Sequence, residues 1–149
     1  MSKKVHSNRG FTLIEILLVL MIIGILGALA VPNLLKKGKD ATRDAAKSEI
    51  EANLSTALDL YELDSGRYPT TEQGLQALIT EPTSSPAPKS WKGPYLKKKK
   101  TIPKDPWGND YVYVSPGTHN TDDYDLSSYG PDGAESADDI VNWESGGNE

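Results

Sequence analysis

The sequence predicts an α+β protein, with one long amino-terminal helix packed on a small antiparallel sheet. Three observations predict it. An apolar run, FTLIEILLVLMIIGILGALAVPNLL, fills residues 11–35. A stripe of apolar residues at helical spacing follows, from Ala46 to Tyr61. Near the carboxyl end, DYVYV alternates Tyr111 and Tyr113 with Val112 and Val114, the period of a half-buried strand.

The first element begins after Lys3, Lys4 and Arg9. Basic residues before an apolar run also open a cleavable secretory signal, but such a signal has an apolar stretch of only about 7–15 residues. Here the run continues for about 25, or ~37 Å of helix, enough to cross a ~30 Å hydrocarbon core. Residues 11–34 are therefore predicted to span a membrane. The preceding positive charges place the amino terminus in the cytoplasm, although Lys36, Lys37 and Lys39 reduce the asymmetry. Pro32 removes a backbone donor, which predicts a kink or local melting there. Gly24 and Ala28 form a small-xxx-small pair that lets another helix approach. Glu15 stands out, because a charge inside such a segment is expensive and as a rule has a partner.

Beyond Pro32 the pattern becomes amphipathic. Ala46, Ile50, Leu54, Ala57 or Leu58, and Tyr61 recur at steps of three and four, with Lys47, Glu49, Glu51 and Asp59 elsewhere. Residues 11–63 thus read as one helix, ended by DSGRYP with Gly66 as C-cap and Pro69 as stop.

YPTTEQGLQALITEP reads as a turn and a short helix, with Thr70 or Thr71 as N-cap and Leu75, Leu78 and Ile79 on its apolar face. A long proline-rich segment follows. Its Trp91, Tyr95, Leu96, Ile102 and Trp107 predict that it is pinned to the core and is not a linker. A second strand is predicted at YDLSSY, residues 124–129.

Composition narrows the function. A formal net charge of -5 disfavours nucleic acid as partner, and Lys97–Lys100 reads as a solvated loop. The absence of cysteine excludes disulfides, thiol catalysis and thiolate metal sites. There is no G-x-S-x-G elbow and no glycine-rich phosphate loop, and His119 lies in a turn. Nothing here predicts an enzyme.

RGFTLIEILLVLMIIGILGALAVP resembles the class III signal of type IV pilins and type II secretion pseudopilins, so the fold is expected to be type IV pilin-like. The resemblance implies three regions: a cytoplasmic leader at 1–10, a transmembrane and filament-core helix at 11–34, and a periplasmic domain at 35–149. It also implies that a prepilin peptidase cuts between Gly10 and Phe11 and methylates the Phe11 amine. Glu15 would then pair with that amine on a neighbouring subunit, which offsets the desolvation of both charges and fixes register. Further along, GRYPTTEQGLQAL, GPYL, DPWGNDYVY, PGTHN and YGPDG resemble the major pseudopilins, or G subunits, of type II secretion. Asp110 and Tyr129 depart from that pattern. The implied protein is an inner-membrane subunit that polymerises through its amino-terminal helices into a periplasmic filament. Its implied partners are minor pseudopilins, the assembly platform and its ATPase, and the filament drives folded proteins through the outer-membrane secretin. Two alternatives are a type IV pilin building a surface fibre and a monomeric, membrane-anchored calcium-binding domain.

YGPDGAESADDIVNW gathers Asp132, Glu135, Asp138 and Asp139 in a turn-rich loop. Calcium takes six to eight oxygens, and crowded carboxylates repel one another without a cation. The EF-hand spacing is absent, and from composition alone a solvated acidic loop is the competing reading. The resemblance implies a Ca2+ site with Asp132 and Asp139 as ligands, Asp138 as a third candidate, and carbonyls near Tyr129 and Ser136. Ile140 and Trp143 are expected to lock this loop to the sheet.

Overall fold

The structure is a computed structural model that describes residues 10–97 and 100–143, with side chains for all of these except 29–35. Residues 1–9 of the expected leader at 1–10, together with Lys98 and Lys99, lie outside the described residues. The chain divides into two compact units, Met1–Asp40 and Ala41–Glu149.

Helix α1, Leu13–Ser48, runs for 36 residues, ~54 Å at the α-helical rise. Its backbone continues through Pro32, so the local melting expected there is not seen. In the first unit the large apolar side chains from Leu13 to Leu26 are all exposed, Leu13 at 79% and Met21 at 65%. A helix apolar on every side cannot be satisfied by water and calls for lipid or other helices around it. Among the described residues no helix is long and apolar enough to cross a membrane. The predicted span includes residues 29–34, whose side chains fall outside the described set.

In the second unit the expected single helix is interrupted. A π-helical segment, Glu49–Leu54, separates α1 from helix α2, Ser55–Ser65. The stripe explains it. Ala46, Ile50, Leu54 and Leu58 are spaced by fours, and in an α-helix each such step overshoots a full turn by ~40°, so three steps carry the last residue ~120° off the face. A wider turn absorbs the drift. Ser55 N–H bonds to the Ile50 carbonyl, and all four apolar side chains remain fully buried. Gly66, at φ 81°, caps α2 as expected, its N–H donating to the Glu62 carbonyl at 2.7 Å.

The turn at Thr70 is a reciprocal cap. The Thr70 hydroxyl accepts the Gln73 N–H at 3.2 Å, and Gln73 Oε1 accepts the Thr70 N–H at 3.1 Å. The short helix that follows is a single 3-10 turn, Leu75–Leu78, whose N-cap is Gly74 and not Thr70 or Thr71 as expected, because the Thr70–Gln73 pair closes the turn ahead of it. The proline-rich segment is held to the core as predicted. Leu96 is buried, Trp91 Nε1 donates to the Ala77 carbonyl at 2.9 Å, and Tyr95 sits edge-on to Tyr61.

Strands β1, Val112–Val114, and β2, Asp125–Ser128, pair antiparallel with Tyr113 opposite Leu126. A third strand, β3, Ile140–Val141, pairs with β2 on its other side. Only two residues long, β3 is extended by Asn142. Its backbone N–H bonds to the Leu126 carbonyl, and its side-chain oxygen accepts the Leu126 N–H at 2.7 Å. Ile50, Leu54, Leu58 and Tyr61 from the helix meet Tyr113, Tyr124, Leu126 and Ile140 from the sheet in one core. Each large apolar side chain buried there contributes roughly 1.5–3 kcal/mol.

Candidate functional site

Gly10 and Phe11 precede α1 in irregular backbone, and both are exposed, Phe11 at 80%. Glu15 lies in the first turn of α1 and forms a capping box with Thr12. The Thr12 hydroxyl accepts the Glu15 N–H at 3.3 Å, and Glu15 Oε2 faces the Thr12 N–H at 3.5 Å. The signal for this was in the sequence as T-x-x-E, and sequence reasoning passed over it.

The acidic loop joins β2 to β3. Gly130 and Gly133, at φ 68° and 66°, bend it in a region that other residues avoid. The Ser136 hydroxyl stands 2.5 Å from Asp138 Oδ1 and 3.2 Å from Asp139 Oδ1, and the Ser136 N–H donates to Asp139 Oδ2 at 3.2 Å. Two like-charged carboxylates therefore share one hydroxyl. Asp132 instead accepts the Ala134 N–H at 3.3 Å and closes its own turn. Tyr129 is half-buried at the end of β2. Among the described residues no group of three acidic or histidine side chains is gathered as a ready metal site. The oxygen-only donors, Asp138 and Asp139 among them, fit a hard divalent cation.

Both ends of the loop are tied down by residues that sequence reasoning did not assign to it. Arg43, on the helix, donates to the Asp138 carbonyl at 2.5 Å. Asn109 Nδ2 donates to the Gly130 carbonyl at 2.9 Å. After β3, Trp143 stacks on the ring of His119, with centroids 4.2 Å apart and planes 4° from parallel. Ile140 is buried in the core.

His119 belongs to the PGTHN turn, which wraps the carboxylate of Asp125. Asp125 Oδ2 accepts the N–H groups of Thr118 and His119 at 2.7 and 2.9 Å and the Thr118 hydroxyl at 2.8 Å. Oδ1 accepts the Asn120 N–H at 2.9 Å. Burial works to raise the Asp125 pKa. The Asn120 and His119 backbone donors, the Thr118 hydroxyl and the His119 ring outweigh it and hold the carboxyl well below the usual carboxylate range.

A methylation-type amino terminus leading one long helix into a small antiparallel sheet defines a pilin-like filament subunit. The Prokaryotic N-terminal methylation motif matches residues 5–31, and the model for Type II secretion system (T2SS), protein G matches residues 33–143. The chain belongs to the type II secretion system protein G family. It is 50% identical over 138 residues to the type II secretion system core protein G of Escherichia coli K12, covering 91% of each chain. The Pseudomonas aeruginosa core protein G is 48% identical over 144 residues, covering 93% of this chain and 97% of that protein. The crystal structure of the major pseudopilin from the type 2 secretion system of enterohaemorrhagic Escherichia coli superposes with a TM-score of 0.64 at 42% identity. That match covers 75% of this chain and 95% of that one. These matches favour the pseudopilin reading over both alternatives raised from the sequence.

Proposed function

We infer that this chain is the repeating, non-catalytic subunit of a type II secretion pseudopilus. It is held in the inner membrane by residues 11–34, with its amino terminus cytoplasmic and its α+β domain periplasmic. A prepilin peptidase cuts after Gly10 and methylates Phe11. The assembly platform and its ATPase then extract the subunit into a filament whose growth moves folded proteins through the secretin. The observation carrying this reading is the exposed, all-round apolar start of α1 continuing as the stem of a folded domain. Such a helix is a membrane anchor in the stored subunit and a filament core in the assembled one. Mass determination on membrane-extracted protein tests it. The expected mass begins at Phe11 and carries one methyl group, and a chain retaining Met1 overturns it.

The acidic loop is read as a Ca2+ site, with Asp132 and Asp139 as side-chain ligands and Asp138 as the third, together with carbonyls near Tyr129 and Ser136. Bound there, the ion neutralises carboxylates that otherwise repel. The melting temperature should rise when calcium replaces a chelator, and Asp132→Ala should remove most of that rise while leaving the chelator value nearly unchanged. Equal wild-type melting temperatures in the two conditions overturn the site.

A further inference from the structure

The turn DPWGN, residues 105–109, is accounted for neither by filament formation nor by the cation ligands. Its backbone closes itself. Asp105 N–H bonds to the Asn109 carbonyl at 2.9 Å and Gly108 N–H to the Asp105 carbonyl at 3.0 Å. Its side chains go further than closure requires. Asp105 is 4% exposed, and its Oδ1 accepts the N–H groups of Trp107 and Asn109 at 3.0 and 2.7 Å. Its Oδ2 accepts the Ser128 hydroxyl at 2.6 Å, and the Gly130 N–H reaches that same hydroxyl oxygen at 3.2 Å. Asn109 donates from Nδ2 to the Gly130 carbonyl at 2.9 Å. Its side-chain oxygen lies 3.5 Å from where a Cβ on Gly133 would stand. One turn therefore fixes both backbone polar groups of Gly130, the carbonyl directly and the N–H through Ser128, and lies beside Gly133.

Resting on the cation reading of the loop, we propose that Asn109 and Asp105 are positioning residues for that cation. Neither is a ligand. They set the conformation of residues 130–133, so that the exposed carboxylates beyond are presented in one arrangement. An exposed loop loses conformational freedom when it closes on an ion, and a loop already fixed at its first residues loses less. Supporting partners of this kind typically alter metal affinity by about 10–100-fold.

The test is calcium calorimetry on the detergent-solubilised full-length chain, with melting curves in chelator. Asn109→Ala should weaken Ca2+ binding by about tenfold or more while its melting temperature in chelator stays near wild type. Ser128→Ala cuts only the path from Asp105 to the Gly130 N–H and should give a smaller loss of affinity. Ca2+ affinity within twofold of wild type in Asn109→Ala, with or without a lower melting temperature, reduces Asn109 to a structural residue and overturns the proposal. A wild type with no saturable Ca2+ binding removes the cation site itself, and the proposal goes with it.

Discussion

Glu15→Leu is expected to insert in the membrane at wild-type levels and to yield almost no filament, while its periplasmic domain remains folded. The side chain is exposed at the start of α1, and its only partner among the described residues is the Thr12 backbone in the capping box. Removing such a cap costs about 1 kcal/mol of local helix stability, too little to stop assembly. Losing a buried charge pair is different in scale. In the proposed filament Glu15 pairs with the Phe11 amine of a neighbouring subunit; the substitution would leave that amine desolvated and unpaired, at about 3–5 kcal/mol, and even 3 kcal/mol would weaken each subunit contact more than 100-fold. Glu15→Gln separates the two roles, because glutamine completes a capping box but carries no charge. It should fail like the leucine variant. Wild-type filament yield from Glu15→Gln would reduce Glu15 to a helix cap and remove charge pairing as the basis of assembly.

Much of the architecture was legible in local pattern. The helix, its Gly66 cap, the strand at 112–114 and the pinned proline-rich segment each follow from periodicity or punctuation within a dozen residues. Other features depend on partners far apart in the chain. Asp105 and Ser128, 23 residues apart, and Asn109 and Gly130, 21 apart, meet only because β2 returns beside β1. No local rule brings them together. Strand β3 has two residues and no periodicity to read, and it exists because Asn142 supplies side-chain atoms where backbone partners end. The π turn lies between these cases. The steps of four from Ala46 to Leu58 record it, but counting them as ordinary helical spacing conceals it. The acidic loop was legible as composition, whereas the sharing of Ser136 between Asp138 and Asp139 is geometry.

Asp125→Ala is expected to destabilise the periplasmic domain by about 3–4 kcal/mol. The carboxylate is 5% exposed, and three backbone N–H groups and the Thr118 hydroxyl converge on it. Alanine leaves those donors buried without an acceptor, and bonds to a charged group contribute about 1.5–3 kcal/mol each before losses overlap. It also frees the turn from which His119 stacks on Trp143, loosening the far end of β3. Asp125→Asn should cost less, about 2 kcal/mol, because its oxygen can still take the place of Oδ2. The asparagine variant also isolates the charge. Because the native Asp125 pKa is depressed, the ionised carboxylate stabilises the fold fully above its unfolded value, near ~3.9. That contribution falls away as the pH drops further toward the native value. The stability gap between wild type and Asp125→Asn should therefore shrink steadily below about pH 4. Denaturant titrations at successive pH values measure it. A gap unchanged down to pH 2 would mean that shape and not charge holds the PGTHN turn in place.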